Sequence, residues 1–265
     1  MREQVLFSVP DTEVPPLHVR VFRPSGDRIS IVPLTDLHLG ARKHASALLQ
    51  EYLRYIMSTR DCYAIGLGDY IENATRTSVG LGMYEEDFHF PQQYERIEAL
   101  LRPLARAGKL LGLHAGNHEM RTTLAVGMNP VYMLARSLDV PYLGYTAFHK
   151  WVVGKTVYKV VTLHGRSAAR TPTGRLNALR ALRDIAVADI YLMGHLHDKQ
   201  VHRDVVYTID ESTDSVKVGH RWFIVAGGLL SWPDSYADMM AFPPVQPGLV
   251  RIDLYAAGKL VDVVF

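Results

Sequence analysis

The sequence contains a single cysteine, Cys62, so the chain cannot form an internal disulfide bond. Residues 1–30 also lack the basic start and the apolar run that mark a secretory signal peptide. Because stable disulfides and signal peptides are features of secreted proteins, both absences predict a cytoplasmic location.

Long hydrophobic runs are missing as well. Glycine, histidine or charged residues interrupt the apolar stretches before they reach the ~18–20 residues that a transmembrane helix needs. Neither charge is in large excess, since 29 lysines and arginines stand against 27 aspartates and glutamates. We therefore expect a soluble protein with no membrane partner, whose net charge gives no argument for binding nucleic acid.

Apolar runs rich in β-branched residues are present, and each ends in a turn signal. They predict buried strands at residues 29–34, 63–67, 109–114, 157–163, 190–193 and 222–226. Leucine, isoleucine and alanine at spacings of three and four predict helices at residues 45–58, 92–107, 130–138 and 174–187. Alternation of strands and helices predicts a layered α/β fold.

The second half of the chain changes character. A turn at Gly154-Lys155 predicts a hairpin, and residues 200–226 and 249–265 predict further antiparallel strands, so the sheets should be mixed. Residues 70–91 predict a short insertion, and residues 231–248, with four prolines, predict a second irregular stretch.

Polar residues follow the ends of five predicted strands. Since the carboxyl ends of parallel strands meet at one edge of a sheet, we expect these side chains to converge. They are Asp36, His38, Asp69, Asn117, His118, His164, His195 and His197.

Imidazoles and carboxylates together favour a transition-metal ion such as zinc, manganese or iron over calcium or magnesium. In an extended D-x-H or H-x-H segment alternate side chains face the same way, so Asp36 and His38 should converge, as should His195 and His197. Seven nitrogen and oxygen donors exceed the needs of one ion, and Asp69 is the candidate bridge between two.

The order of these motifs resembles that of the calcineurin-like metallophosphoesterase superfamily, from about residue 29 to residue 228. The matching segments are Asp36-Leu37-His38, Gly68-Asp69, Gly116-Asn117-His118-Glu119, His164 and Gly194-His195-Leu196-His197. The resemblance implies a four-layer αββα sandwich of two mixed sheets flanked by helices. We expect residues 1–265 to form one such domain, with a C-terminal loop and strands at 229–265.

The resemblance also implies ligand sets and cofactors. One metal would have Asp36, His38, Asp69 and His197, and the other would have Asp69, Asn117, His164 and His195. The cofactors would be two divalent transition-metal ions, with Mn²⁺ favoured over Fe, Zn, Co or Ni. In purple acid phosphatases a tyrosine ligand follows the aspartate of the second motif by three residues; here that position is Glu72.

The same resemblance implies catalytic roles for His118 and Asp69. A hydroxide bridging the two metals would attack the phosphate, and His118 would contact the phosphate and protonate the leaving oxygen. A carboxylate, Glu119 or Asp36, is expected to keep His118 protonated. Asn117, His118, Arg166 and Arg170 are the predicted substrate contacts, with Arg121 a further candidate.

A cluster of basic residues near these motifs favours a phosphodiesterase acting on nucleotides or nucleic acid. A phosphomonoesterase acting on a small molecule or a phosphoprotein is the alternative, because fold and metals do not select the substrate. A polymerase accessory or scaffold subunit is the candidate of another class. Arg175, Arg180 and Arg183 are expected on a helix that points partly outward.

Overall fold

The computed structural model describes residues 14–75, 78, 86–167, 169 and 171–265. Its helices are α1 (Ser46–Ser58), α2 (Phe90–Arg106), α3 (Asn117–Val126), α4 (Pro130–Leu138), α5 (Pro172–Arg180) and α6 (Tyr236–Met239). Its strands are β1 (Leu17–Phe22), β2 (Arg28–Thr35), β3 (Cys62–Gly68), β4 (Leu110–His114), β5 (Tyr142–Gly144), β6 (Thr146–Val153), β7 (Thr156–Leu163), β8 (Ile190–Met193), β9 (Lys199–Asp210), β10 (Ser215–Gly228), β11 (Gly248–Leu249), β12 (Arg251–Tyr255) and β13 (Val261–Val264).

Within the described residues these strands form two mixed sheets. The six-stranded sheet has the order β13-β12-β2-β3-β4-β5, in which β2 to β5 run parallel and β12 is antiparallel to β2. The seven-stranded sheet has the order β1-β6-β7-β8-β10-β11, with β9 also paired to β10. In this second sheet β7, β8 and β10 run parallel, so their carboxyl ends share one edge.

Alternation of side chains along the strands sorts the core into layers. In β8, Ile190 and Leu192 face the core between the two sheets, whereas Tyr191 and Met193 face the outside of their sheet, where Leu179 packs. The outer face of the other sheet packs against buried residues of α1, α2 and α4. The predicted four-layer αββα arrangement is therefore confirmed.

The predicted strands and three of the predicted helices are present with small shifts at their ends, except that the strand predicted at residues 222–226 is longer and begins at Ser215. The helix predicted at residues 174–187 is wrong in its length. It begins earlier because Thr171 caps it and Pro172 occupies its first turn, and it ends at Arg180 in a 3-10 turn, Ala181–Asp184. The tighter turn keeps Leu179 and Leu182, three residues apart, on the buried side.

Four elements have no counterpart among the sequence predictions, namely β1, α3, β5 and α6. β1 follows two prolines and pairs only at the sheet edge, and α3 has no apolar stripe, since Glu119 is its one buried residue. Of the insertion predicted at residues 70–91, residues 76, 77 and 79–85 lie outside the described residues. Within the described part of the chain, no helix has the length and apolar character that a membrane span requires.

Candidate metal centre

The predicted ligand residues lie in loops that follow the carboxyl ends of β2, β3, β7 and β8, and in the turn that joins β4 to α3. Both sheets present these ends at the same side of the sandwich. Asp36, His38, Asp69 and His164 are each at most 3% exposed. Burial of so many ionisable groups in one place costs free energy unless charges are matched there.

The backbone at these residues is unusual. Left-handed φ angles occur at Asp36 (48°), His38 (49°), Asp69 (52°), His195 (67°) and His197 (55°). Such angles are uncommon outside glycine and cost on the order of 1–3 kcal/mol each, and they cluster at functional sites. The expectation of an extended backbone at these pairs is therefore wrong. Asp36 and His38 share a group of donor atoms, whereas His195 and His197 belong to different groups.

One group of donor atoms comes from Asp36, His38 and His197, whose ligand atoms all lie within 4.8 Å of one another. The Nε2 atoms of His38 and His197 are 3.2 Å apart, and His197 Nε2 is 3.4 Å from Asp36 Oδ1. The other carboxylate oxygen of Asp36 accepts hydrogen bonds from Thr35 Oγ1 (2.5 Å) and from the backbone N–H of His195 (2.7 Å). One oxygen thus fixes the carboxylate while the other faces the imidazoles.

A second group comes from Asp69, His164 and His195, also within 4.8 Å of one another. His164 Nε2 lies 3.3 Å from Asp69 Oδ2 and 2.9 Å from Asn117 Oδ1. The other ring nitrogen of His164, Nδ1, is 2.8 Å from the carbonyl oxygen of Leu67, which orients the ring.

Asp69 connects the two groups. Besides its place in the second group, it clusters within 4.8 Å with His38 and His118. Its Oδ1 accepts a hydrogen bond of 2.9 Å from the backbone N–H of His118, which leaves Oδ2 directed to the imidazoles. The arrangement has the form of two adjoining ligand sets with a carboxylate between them.

The donor set fits divalent transition-metal ions. Asp36 Oδ1 is buried, and among the described residues it has no hydrogen-bond partner. A buried carboxylate oxygen without a hydrogen-bond partner costs free energy, and a bound cation would offset this cost. Neutral imidazole nitrogens and carboxylate oxygens at this spacing suit such ions, so the residues match the implied metals.

Electrostatics in the cluster favour positive charge. Burial lowers the pKa of a histidine, but Glu72 raises that of His38 to about 9 and Asp69 raises that of His164 to about 10. Burial dominates at His197 and lowers its pKa to about 4. Although burial opposes its ionisation, neighbouring histidines hold the pKa of Asp69 well below its usual range. The carboxylates therefore stabilise cations at this site.

His118 has different partners from those expected. Its Nδ1 lies 2.6 Å from the carbonyl oxygen of Glu72, and its Nε2 lies 3.0 Å from Nη2 of Arg121. A guanidinium can only donate, so Nε2 accepts and Nδ1–H donates to the carbonyl. The expectation that Glu119 or Asp36 supports the protonated form is wrong, since the nearby carboxylates are those of Glu72, 3.5 Å from Nδ1, and Asp69, 3.9 Å from Nε2.

Glu119 instead organises the backbone of the site. Its buried carboxylate accepts hydrogen bonds from the N–H groups of Gly116 (3.0 Å), Asp69 (3.1 Å), Tyr70 (2.7 Å) and Ile71 (3.3 Å). Glutamate at the third position of a helix is a capping signal, so the sequence Gly116-Asn117-His118-Glu119 contained this information.

Glu72 is the other functional residue that sequence reasoning did not assign. Its Oε2 lies 2.8 Å from Nδ1 of His38. Hydrogen bonding of a carboxylate to the distal nitrogen of a metal-binding histidine fixes the ring and raises its basicity. The sequence signal that could have identified Glu72 was its position three residues after Asp69.

The arginines that follow His164 separate into two kinds. Arg166 is exposed and is not among the described residues that line the site, and Arg170 lies outside the described residues, so their substrate contacts stay predictions. The outward position expected for Arg175 is wrong. Its side chain is buried and forms a 2.8 Å ion pair with Asp198, one residue after His197.

A cavity of about 520 Å³ opens above the cluster. Its lining includes five of the donor residues, His38, Asp69, Asn117, His195 and His197. It also includes the cationic side chains of Arg42, Lys43 and Arg121, and apolar residues between positions 230 and 245. A volume of this size is in the range of sites that take small molecules.

Comparisons with known proteins found similarity at the level of solved structures. No protein-family model and no curated protein matches the sequence. A metallophosphoesterase from Sphaerobacter thermophilus is 14% identical with a TM-score of 0.41, and the match covers 89% of this chain and 87% of that one. A conserved uncharacterised protein from Streptococcus pneumoniae, described as a predicted phosphoesterase, is 14% identical, with a TM-score of 0.39 and 91% of both chains covered.

The nuclease MPE from Pseudomonas putida is 17% identical, with a TM-score of 0.36 and coverage of 85% of this chain and 84% of that one. Phosphoesterases are thus named among the similar structures. At this level of similarity the function has to be argued from the chain's own residues.

Proposed function

We propose that this chain is a calcineurin-like metallophosphoesterase, a hydrolase of phosphate esters that works with two divalent metal ions. The single observation that carries the proposal is the position of Asp69 between two groups of largely buried donors. Five of the donor residues also adopt left-handed backbone angles, which cluster at functional sites.

The proposed ligands divide as the donor groups do. Asp36, His38, Asp69 and His197 would hold one ion, and Asp69, Asn117, His164 and His195 would hold the other. Bound divalent ions would supply positive charge for the phosphate oxygens and lower the pKa of water towards neutrality. Mn²⁺ is our first choice because the donors mix nitrogen with oxygen, and Fe, Zn, Co and Ni are the alternatives.

His118 is the proposed acid of the reaction. Its Nδ1 is engaged by the Glu72 carbonyl, so the proton for the leaving oxygen would come from Nε2. Arg121 donates to that same nitrogen in this structure. A phosphate in the cavity offers the guanidinium a stronger, charged acceptor, which would free Nε2 to carry the proton.

A diester of nucleotide size is the proposed substrate, on two grounds. The cavity of about 520 Å³ has room for more than a bare phosphate. Its lining also holds Arg42, Lys43 and Arg121, which pair with Asp87, Asp234 and Glu72 in this structure and would exchange these partners for phosphate oxygens. Arg166 and Arg170 are retained as candidate contacts for a phosphate away from the bond that breaks. A phosphomonoesterase on a small molecule or phosphoprotein is the alternative.

A polymerase accessory or scaffold subunit is the candidate of another class. A protein that had abandoned catalysis would have no need to keep a hydrogen-bonded histidine beside the donor cluster, as His118 is kept here. Affinity capture with a polymerase as bait, run beside the activity assay, distinguishes the two.

The test is a substrate panel. Metal-stripped protein is assayed after addition of Mn²⁺, Zn²⁺, Fe²⁺, Co²⁺ or Ni²⁺ with p-nitrophenyl phosphate, bis-p-nitrophenyl phosphate, cyclic nucleotides and single-stranded DNA. We expect metal-dependent hydrolysis with diesters preferred. Preference for the monoester would favour the phosphatase alternative, and no hydrolysis with any metal would overturn the proposal.

A matched pair of variants ties any activity to this site. His195→Ala removes a proposed ligand, and His202→Ala removes a histidine of β9 that pairs with Asp204 instead. Loss of turnover is expected in the first variant alone. Equal turnover in both would place the activity elsewhere or in a contaminant.

A further inference from the structure

One wall of the cavity is mainly apolar, although the donor cluster beside it is polar. Besides Asp234 and Ser235, chain segment 230–245 contributes to the lining the apolar residues Leu230, Trp232, Ala237, Phe242, Pro243 and Val245. All of these apolar side chains except the exposed Pro243 are half-buried, so they face the cavity and are not part of the packed core. Apolar surface held next to a charged site gains free energy when a ligand covers it.

This wall is held in place by the loop that follows the first motif. Ala45 N donates to the carbonyl of Leu229 (2.8 Å), and Ser231 N donates to the carbonyl of Lys43 (2.9 Å). The indole Nε1–H of Trp232 donates to the carbonyl of Phe242, 2.7 Å away. The first two bonds fix the start of the segment to the loop, and the third joins the start of the segment to its far part. The wall is therefore formed before a ligand arrives.

Trp232 differs from the other tryptophans of the chain. Trp151 and Trp222 are 1% and 4% exposed and lie in the core between the sheets, whereas Trp232 is half-buried in the cavity lining. Its one hydrogen-bond donor is already used by Phe242, so the polar edge of the ring is satisfied and its apolar surface remains for a ligand.

We propose that segment 230–245 is a subsite for a planar aromatic ring, such as a nucleobase, carried by the phosphate ester, and that Trp232 stacks on this ring. The subsite rests on the proposed function for its phosphate, which the donor cluster would hold. Stacking of a base on an aromatic side chain tolerates any base, because every base has a planar π-face.

The first experiment compares three esters that release the same p-nitrophenolate. All three share the planar nitrophenyl leaving group, so they differ only in the second substituent on phosphorus. This substituent is a nucleoside with a base in thymidine 5′-(p-nitrophenyl phosphate), an apolar ring that is not planar in cyclohexyl p-nitrophenyl phosphate, and no ring in methyl p-nitrophenyl phosphate. In the metal-loaded protein the thymidine ester should have the lowest KM. In Trp232→Leu its advantage over the methyl ester should shrink about tenfold, and in Trp232→Phe most of it should return.

Tyr207→Leu is the matched control, because Tyr207 is an exposed aromatic residue of β9 outside the cavity lining. It should leave the ratio of the KM values for the thymidine and methyl esters as it is in the unaltered protein. A ratio that does not change in Trp232→Leu would overturn the subsite. A cyclohexyl ester that is bound as well as the thymidine ester would overturn its aromatic character.

Tryptophan fluorescence tests the subsite without requiring turnover. Thymidine 5′-monophosphate should quench the emission of Trp232, inorganic phosphate should not, and the quenching should vanish in Trp232→Phe. If all three esters resist hydrolysis while quenching occurs, the proposed function fails and the subsite stands. If the methyl ester is hydrolysed and no quenching occurs, the subsite fails and the proposed function stands.

Discussion

Nδ1 of His38 lies 2.8 Å from Oε2 of Glu72, so a carboxylate outside the proposed ligand sets fixes the ring of a proposed ligand. Burial opposes the charge of Glu72, yet His38, His118 and Arg121 together hold its pKa below the usual value. Glu72 is therefore ionised and orients Nε2 of His38 towards the other donors.

Glu72→Gln should weaken metal binding by about 10–100-fold, because the amide is a poorer acceptor and leaves His38 less basic. Calorimetric titration of Mn²⁺ into metal-stripped protein measures the effect. Glu51→Gln, on the exposed face of α1, is the control and should bind as the unaltered protein does. Equal affinity in both variants would show that His38 is oriented without Glu72.

Gly116→Ala should disrupt the site while the fold survives. A Cβ at this position would collide with the side chain and backbone of Asp69, and Gly68 next to it has a left-handed φ of 98°. The side chain of Asp69 must then move, with loss of metal affinity. Gly26→Ala, where a Cβ would meet nothing within 4 Å, is the control. Unchanged metal binding in Gly116→Ala would show that the close approach of Gly116 to Asp69 does not hold the site in place.

His118→Ala should keep its metals and lose about 100-fold or more in kcat for an ester with an alkoxide leaving group, a typical loss for a general acid. For p-nitrophenolate, which departs without a proton, the loss should be much smaller. Steady-state rates for the two leaving groups, with metal content measured beside them, decide the matter. Equal losses would mean that His118 binds or positions the phosphate instead.

The stability of the protein should fall in acid because of two buried histidines. Nε2 of His114 and Nε2 of His149 each lie 2.7 Å from the hydroxyl of Thr162, and burial lowers the pKa of both histidines from 6.5 to about 3. Between about pH 3 and pH 6.5 the unfolded chain therefore binds more protons than the folded chain. The free energy of unfolding should decrease as pH falls below 6.5, by up to ~1.4 kcal/mol per pH unit for each histidine.

Urea unfolding of metal-stripped protein between about pH 7 and pH 5 measures this slope. His149→Gln should make the slope shallower by the contribution of one histidine, whereas His89→Gln, at an exposed position, should not. A slope that is identical in His149→Gln and the unaltered protein would contradict the assignment.

The layers of the fold were predictable because burial leaves a periodic signature. Runs such as Ile190 to Met193 are apolar at every position, which indicates a strand covered on both faces, and the structure shows one such strand. The loop residues of the site were predictable as a set, because side chains after parallel strands meet at one edge. The helix after Thr171 was overextended, since its periodicity continued into a tighter turn.

What the sequence did not predict depends on contacts between distant residues. The left-handed turns at Asp36 and His38 have no local signature such as glycine, and the backbone there is held by hydrogen bonds from residues 36 and 38 to carbonyls of residues 68 and 69. The link from Glu72 to His38 spans 34 positions, and the apolar wall around Trp232 joins the site through loop 41–45. No pattern within one segment encodes such pairings.

The most direct test of the central claim is the metal content of Asp69→Asn beside that of the unaltered protein. Both are stripped, loaded with Mn²⁺, freed of excess ion and measured by elemental analysis. Because Asp69 would belong to both ligand sets, we expect two ions per chain in the unaltered protein and neither in the variant. One ion per chain in the unaltered protein, or two retained by Asp69→Asn, would contradict the account.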